Sequence, residues 1–119
     1  MLPKNIRLNL RQNTDFFKEA ESLSSRHLRL LFRRNPDEQK LKLAFIVSKR
    51  HGGAVQRVKT KRQMRHASMA IKQELPALFA LPYSSAILVK GRPQDYQLYK
   101  QEIEQLLSKL QNYYLKNTV

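Results

Sequence analysis

Ten lysines and arginines fall between Gln39 and Gln73: Lys40, Lys42, Lys49, Arg50, Arg57, Lys59, Lys61, Arg62, Arg65 and Lys72. No aspartate or glutamate lies in that window. Cations without acids to pair with are suited to neutralising the phosphates of a nucleic-acid backbone, a binding mode that weakens steeply with salt. An ordinary solvated helix face mixes signs, because like charges such as Lys61 and Arg65 at i,i+4 repel. Over the whole chain of 119 residues, 23 Lys/Arg against 9 Asp/Glu give a net charge of +14, and a polyanionic partner is the expectation. Anionic lipid is the weaker alternative, since the apolar stripe beside these cations contains Thr60 and Ala67 rather than bulky interfacial aromatics.

Other chemistries find little support. The chain has no Cys, hence no disulfide framework, thiol nucleophile or cysteine zinc site. His27, His51 and His66 form no metal-ligand spacing and are expected as partly exposed imidazoles; His51 and His66 could gain charge beside a phosphate. The acids Asp15, Glu19, Glu21, Asp37, Glu38, Glu74, Asp95, Glu102 and Glu104 are expected on helix surfaces and a turn, away from the basic centre. A protein-borne nuclease needs clustered carboxylates or an acid–base pair at the phosphate, so no catalytic residue and no protein-bound metal is expected. Gly52-Gly53 offers amides to a phosphate but lacks the rest of a P-loop. Zinc-finger, zipper, helix-turn-helix and RRM patterns are absent. The longest apolar runs, Leu43–Val47 and Ala77–Leu81, have five residues each, against about 20 needed to span a bilayer. The N-terminus has no signal-peptide core, and a cytoplasmic protein without a membrane partner is expected.

These residues must be positioned by a small α/β unit, one domain over residues 1–119. Asn13 to Leu23 reads as a helix with Phe16, Ala20 and Leu23 on one face, capped by Asn13 or Thr14. His27 to Arg33 alternates as a strand, with Leu28, Leu30 and Phe32 inward and Arg29 and Leu31 on the other face. A turn at Asn35-Pro36-Asp37-Glu38 leads to a second strand, Lys40 to Lys49, and the two read as a hairpin. Ala54 to Leu75 is a long helix whose core stripe is Thr60, Met64, Ala67, Ile71 and Leu75; Arg57, Lys59, Lys61, Arg62, Arg65 and Lys72 fan over the opposite arc. After a connector bracketed by Pro76 and Pro82 come a strand, Ser85 to Lys90, and a helix, Gln94 to Tyr113, with Tyr99, Ile103, Leu106 and Leu110 aligned. The order α-β-β-α-β-α predicts a two-layer α/β (α+β) sandwich, helices on a small mixed sheet.

The run Ser48-Lys49-Arg50-His51-Gly52-Gly53-Ala54-Val55-Gln56-Arg57-Val58-Lys59-Thr60-Lys61-Arg62-Gln63-Met64-Arg65 resembles the central signature of the bacterial ribonuclease P protein component. That signature is a strand ending in Ser-Lys-Lys, a Gly, Ala-Val, then Arg-Asn-Arg-x-Lys-Arg-x-x-Arg on a helix. Leu2-Pro3-Lys4 with Arg7-Leu8 resembles the family's N-terminus, and Asp15-Phe16 its first-helix pair. The resemblance covers nearly the whole chain. It departs at Val58, where the family has Asn, at Lys59, where it has Arg, and at His66, where it has Glu.

The resemblance implies a protein that assists an RNA enzyme in maturing the 5′ ends of tRNA. Its partners would be the catalytic ribonuclease P RNA and the 5′ leader of precursor tRNA, with Mg²⁺ held mainly by the RNA and no role for DNA. It places Lys49, Arg50, Arg57, Lys59, Lys61, Arg62 and Arg65 on the catalytic RNA. Phe16 would line a leader cleft between the first helix and the sheet. The family's second aromatic falls at Ala20, with Phe17 adjacent, while Arg29 and Leu31 join the cleft from the strand. A left-handed strand-helix-strand crossover is implied as well, against the usual right-handed preference. Charge alone leaves two rivals, a small basic ribosomal protein binding rRNA without a catalytic role and a DNA-compacting protein.

Overall fold

A computed structural model describes residues 2, 6–10, 16–35 and 40–117. The chain runs α1 (Phe16–Glu19), β1 (Glu21–Ser24), β2 (Leu28–Arg34), β3 (Lys42–Ile46), α2 (Ala54–Glu74), β4 (Tyr83–Val89) and α3 (Tyr96–Asn117), with 3-10 turns at Lys49–His51 and Pro76–Phe79. The four strands form one mixed sheet in the order β1-β2-β4-β3. Both long helices lie on the same side of it, α2 against β3 and α3 against β1 and β2, and they pack on each other.

Alternation on β2 holds as expected: Leu28, Leu30 and Phe32 are buried, while Arg29 is exposed. They meet Leu43 of β3 and Ile87 and Val89 of β4, together with Met64, Ala67 and Ile71 of α2 and Tyr99, Ile103, Leu106, Leu107 and Leu110 of α3. The predicted stripes of both helices are therefore core, except that Leu75, just past the end of α2, is exposed. Leu78, Phe79 and Leu81 of the connector plug the end of this core.

Three expectations are corrected. The helix expected over 13–23 is a single turn in the described residues; Glu21–Ser24 is instead a strand, pairing Leu23 with Leu30 and Ser22 with Leu31. Pairing places Leu23 against the main core, a contact that local helical spacing does not anticipate. The hairpin expected between β2 and β3 does not form, because β4 lies between them, antiparallel to β2 and parallel to β3. β4 is buried at every position but Leu88, and a strand buried on both faces belongs at the centre of a sheet. The third correction is to the limits. The strand expected over 40–49 ends at Ile46, so that Lys49 and Arg50 stand on a turn; β4 begins at Tyr83; and α3 continues to Asn117. The caps Asn13 and Thr14, the acid Asp15 and the turn residues Pro36-Asp37-Glu38 lie outside the described residues.

Candidate nucleic-acid interface

β3 and β4 are parallel neighbours, so the chain between them must cross over, and α2 is that crossover. Its 21 residues span about 30 Å. Burying Thr60, Met64, Ala67, Ser68 and Ile71 fixes the helix's rotation and so decides where its cations point. Lys59 and Arg62 are exposed, and Arg57, Lys61 and Arg65 are half-buried. Lys49 and Arg50 are exposed on the turn ahead of α2. Among the described residues none of these seven cations pairs with a carboxylate; ion pairs lie elsewhere, at Arg33–Glu19 (3.0 Å) and Lys100–Glu74 (2.8 Å). The first turn of α2 has no acidic residue, and Gly53 supplies no side-chain cap. Val55 (86% exposed) and Val58 (53% exposed) add an apolar strip, forming a shallow depression of about 520 Å³ with Ala54, Lys59 and Arg62.

The other face of the sheet carries a smaller apolar cluster. Leu8, Phe16 and Ala86 are buried there, with Leu10, Ala20, Leu31, Ala44 and Ile46 packed around them. Phe16 is 1% exposed, whereas Phe17 is 51% exposed; the rings meet edge-to-face at 5.3 Å. Arg29 is exposed on this face and its Nη2 reaches Ser22 Oγ at 3.4 Å across the β1–β2 pair. The structure thus brings Leu31 and Phe17 to Phe16 and leaves Arg29 exposed on the neighbouring part of β2.

Sequence reasoning missed two polar clusters. Glu102, expected on a helix surface, is buried on α3, where its carboxylate accepts hydrogen bonds from Ser25 Oγ, the His27 N–H (2.8 Å) and His27 Nδ1 (2.6 Å). Burial pushes the Glu102 carboxyl up, but the bonds from Ser25 and His27 outweigh it and hold its pKa below the usual value. His51, expected to be partly exposed and able to meet phosphate, is buried, with Nδ1 3.0 Å from the Gly91 carbonyl and Nε2 2.7 Å from Thr60 Oγ1. Both ring nitrogens are thus committed within the protein. Only His66 is exposed; the nearest sequence signal for the other two is a histidine beside a turn, which does not name its partner.

A family model described as ribonuclease P matches residues 2–111. The chain belongs to the ribonuclease P protein family. Its fold is similar to that of the RNase P protein from Thermotoga maritima, with a TM-score of 0.72 and 22% identity, covering 87% of this chain and 96% of that one. A Staphylococcus aureus RNase P protein, a mutant described as defective in mRNA degradation activity, matches with a TM-score of 0.72 and 19% identity over 91% and 90% of the two chains. A search of curated protein sequences found no match. The mixed α+β architecture, with three helices on a four-stranded sheet, is that of the ribonuclease P proteins. No helix among the described residues is long and apolar enough to cross a membrane.

Proposed function

We propose that this chain is the protein subunit of ribonuclease P, binding the catalytic RNA through the α2 ridge and the 5′ leader of precursor tRNA through the opposite sheet face. The observation that carries the reading is the ridge: Lys49, Arg50, Arg57, Lys59, Lys61, Arg62 and Arg65 have no acidic partner among the described residues, and a ridge of that kind is completed by phosphates. Packing of α2 against the sheet supplies the rigidity, so binding requires little reordering of the helix itself.

On the opposite sheet face, Phe17 is the ring open to an unpaired base, and Phe16 packs edge-to-face against it. Leu31 contributes apolar floor and Arg29 a cation for the leader backbone. A leader held there as an extended strand would add affinity that mature tRNA lacks.

The described residues include no group of three His, Asp or Glu side chains placed to hold a metal ion, and the ridge is cationic. The donor set therefore fits phosphate rather than Mg²⁺. In this reading Mg²⁺ and bond cleavage belong to the RNA, and the chain lowers repulsion among phosphates.

Single-turnover cleavage of precursor tRNA by the catalytic RNA of the same organism, at low Mg²⁺ with and without the chain, tests the reading. A large protein-dependent rise at the authentic 5′ end is expected. No rise, with the RNA shown active at high Mg²⁺, would return the protein to a ribosomal or DNA-binding role.

A further inference from the structure

The turn that carries Lys49 and Arg50 is weakly held by its own backbone. Its internal hydrogen bonds are His51 N–H to Ser48 O at 3.1 Å and Gly52 N–H to Lys49 O at 3.3 Å. Two glycines follow, Gly52 with φ 156°, and glycine loses more conformational freedom on ordering than any other residue. The next element, α2, starts without a side-chain cap. By local interactions alone, two exposed cations at this point would sample many directions.

His51 supplies the missing anchor. Its backbone belongs to the turn, its Nε2 meets Thr60 on α2, and its Nδ1 meets the Gly91 carbonyl in the loop between β4 and α3. A carbonyl can only accept, so in the neutral ring Nδ1 carries the proton and Nε2 accepts from the Thr60 hydroxyl. Thr60 Oγ1 in turn accepts from Gln56 Nε2 at 3.3 Å. The Tyr99 hydroxyl, on buried Tyr99 of α3, accepts the Gln94 N–H at 3.0 Å in the same loop that carries Gly91. One buried imidazole therefore ties the turn to α2 and to the Gly91 loop. Gly91 itself adopts φ 75°, a left-handed conformation that presents this loop in a form other residues rarely adopt.

We infer that His51 is a positioning residue for RNA binding: clamped between Gly91 and Thr60, it fixes the direction in which Lys49 and Arg50 meet the RNA. The inference rests on the proposed function and adds a residue that does not itself touch RNA.

The test is affinity for the catalytic RNA, measured with the full chain well below its unfolding temperature as salt is varied. His51→Leu should weaken binding about fivefold and flatten the dependence of log K on log salt by one to two contacts, roughly 0.7–0.9 each. Lys49→Gln/Arg50→Gln should do the same, and His51→Leu added to that pair should produce no further loss. A role confined to stability predicts unchanged affinity in the folded state; independent contacts predict additive losses. Either result overturns the inference. Thr60→Val, which removes one tether with little change in volume, should show the same coupling in smaller measure and decides the matter if His51→Leu does not fold. Thr60→Ser should restore binding. If Lys49→Gln/Arg50→Gln leaves affinity untouched, the RNA role of the turn fails and the inference with it. If the pair matters but His51 and Thr60 do not couple to it, only the inference fails.

Discussion

On α2 the cations Arg57, Lys59, Lys61, Arg62 and Arg65 stand on one helix, and the core of Met64, Ala67 and Ile71 on its other side holds them in place. The proposed leader groove is assembled differently: Phe16 and Phe17 come from α1, Leu31 and Arg29 from β2, and Ala86 from β4, brought to one sheet face by the strand order β1-β2-β4-β3. In the ridge, the proposed binding groups and the core groups are separate residues. In the groove they overlap, since Phe16 both packs edge-to-face against the exposed ring and belongs to a buried cluster. Ridge substitutions should therefore change binding without changing the fold, while groove substitutions should divide according to burial.

Phe16→Ala should break the groove most severely. Removing a fully buried ring leaves a cavity and should lower stability by about 3–4 kcal/mol, measured by urea unfolding. Arg62→Glu/Arg65→Glu should come next: about a hundredfold weaker binding to the catalytic RNA at low salt, with an unfolding midpoint close to wild type. Unchanged affinity would remove α2 from the interface. Phe17→Ala sharpens the contrast within the groove, because its ring is half exposed. It should reduce precursor tRNA affinity about tenfold, as expected for losing one base stack, with little loss of stability.

The smallest effect concerns Glu102, which belongs to neither surface. Its carboxyl is held below its unfolded pKa, so as pH falls the unfolded chain takes up that proton first. The stabilisation is complete at neutral pH and is lost as pH drops below about 4. Glu102→Gln should flatten this acid limb of the stability profile, read from urea midpoints between neutral and acidic pH. An unchanged limb would show that the Ser25–His27 contacts do not set it.

What was legible in the sequence follows the same division. The ridge lies within one helical period, so Thr60, Met64, Ala67 and Ile71 could be separated from the cations by counting residues. The groove depends on which strands are neighbours. β2 and β3 are close in sequence and each alternates, which reads as a hairpin; that β4 enters between them follows from its burial on both faces. Leu23 shares helical spacing with Phe16 yet sits in β1 opposite Leu30, because tertiary pairing overrides a weak local preference. His51 and Glu102 were illegible for a further reason: their partners Gly91 and His27 are brought near by the fold and share no motif with them.

The separation of the two surfaces is tested most directly by the affinity of the assembled ribonucleoprotein for precursor relative to mature tRNA. The measurement compares wild type, Phe17→Ala and Arg62→Glu/Arg65→Glu at protein concentrations that saturate the RNA subunit. Phe17→Ala is expected to lose most of the preference for precursor, while the ridge variant, once bound, keeps it. A ridge variant that loses the preference, or a Phe17→Ala protein that retains it, would contradict the assignment of leader binding to the groove.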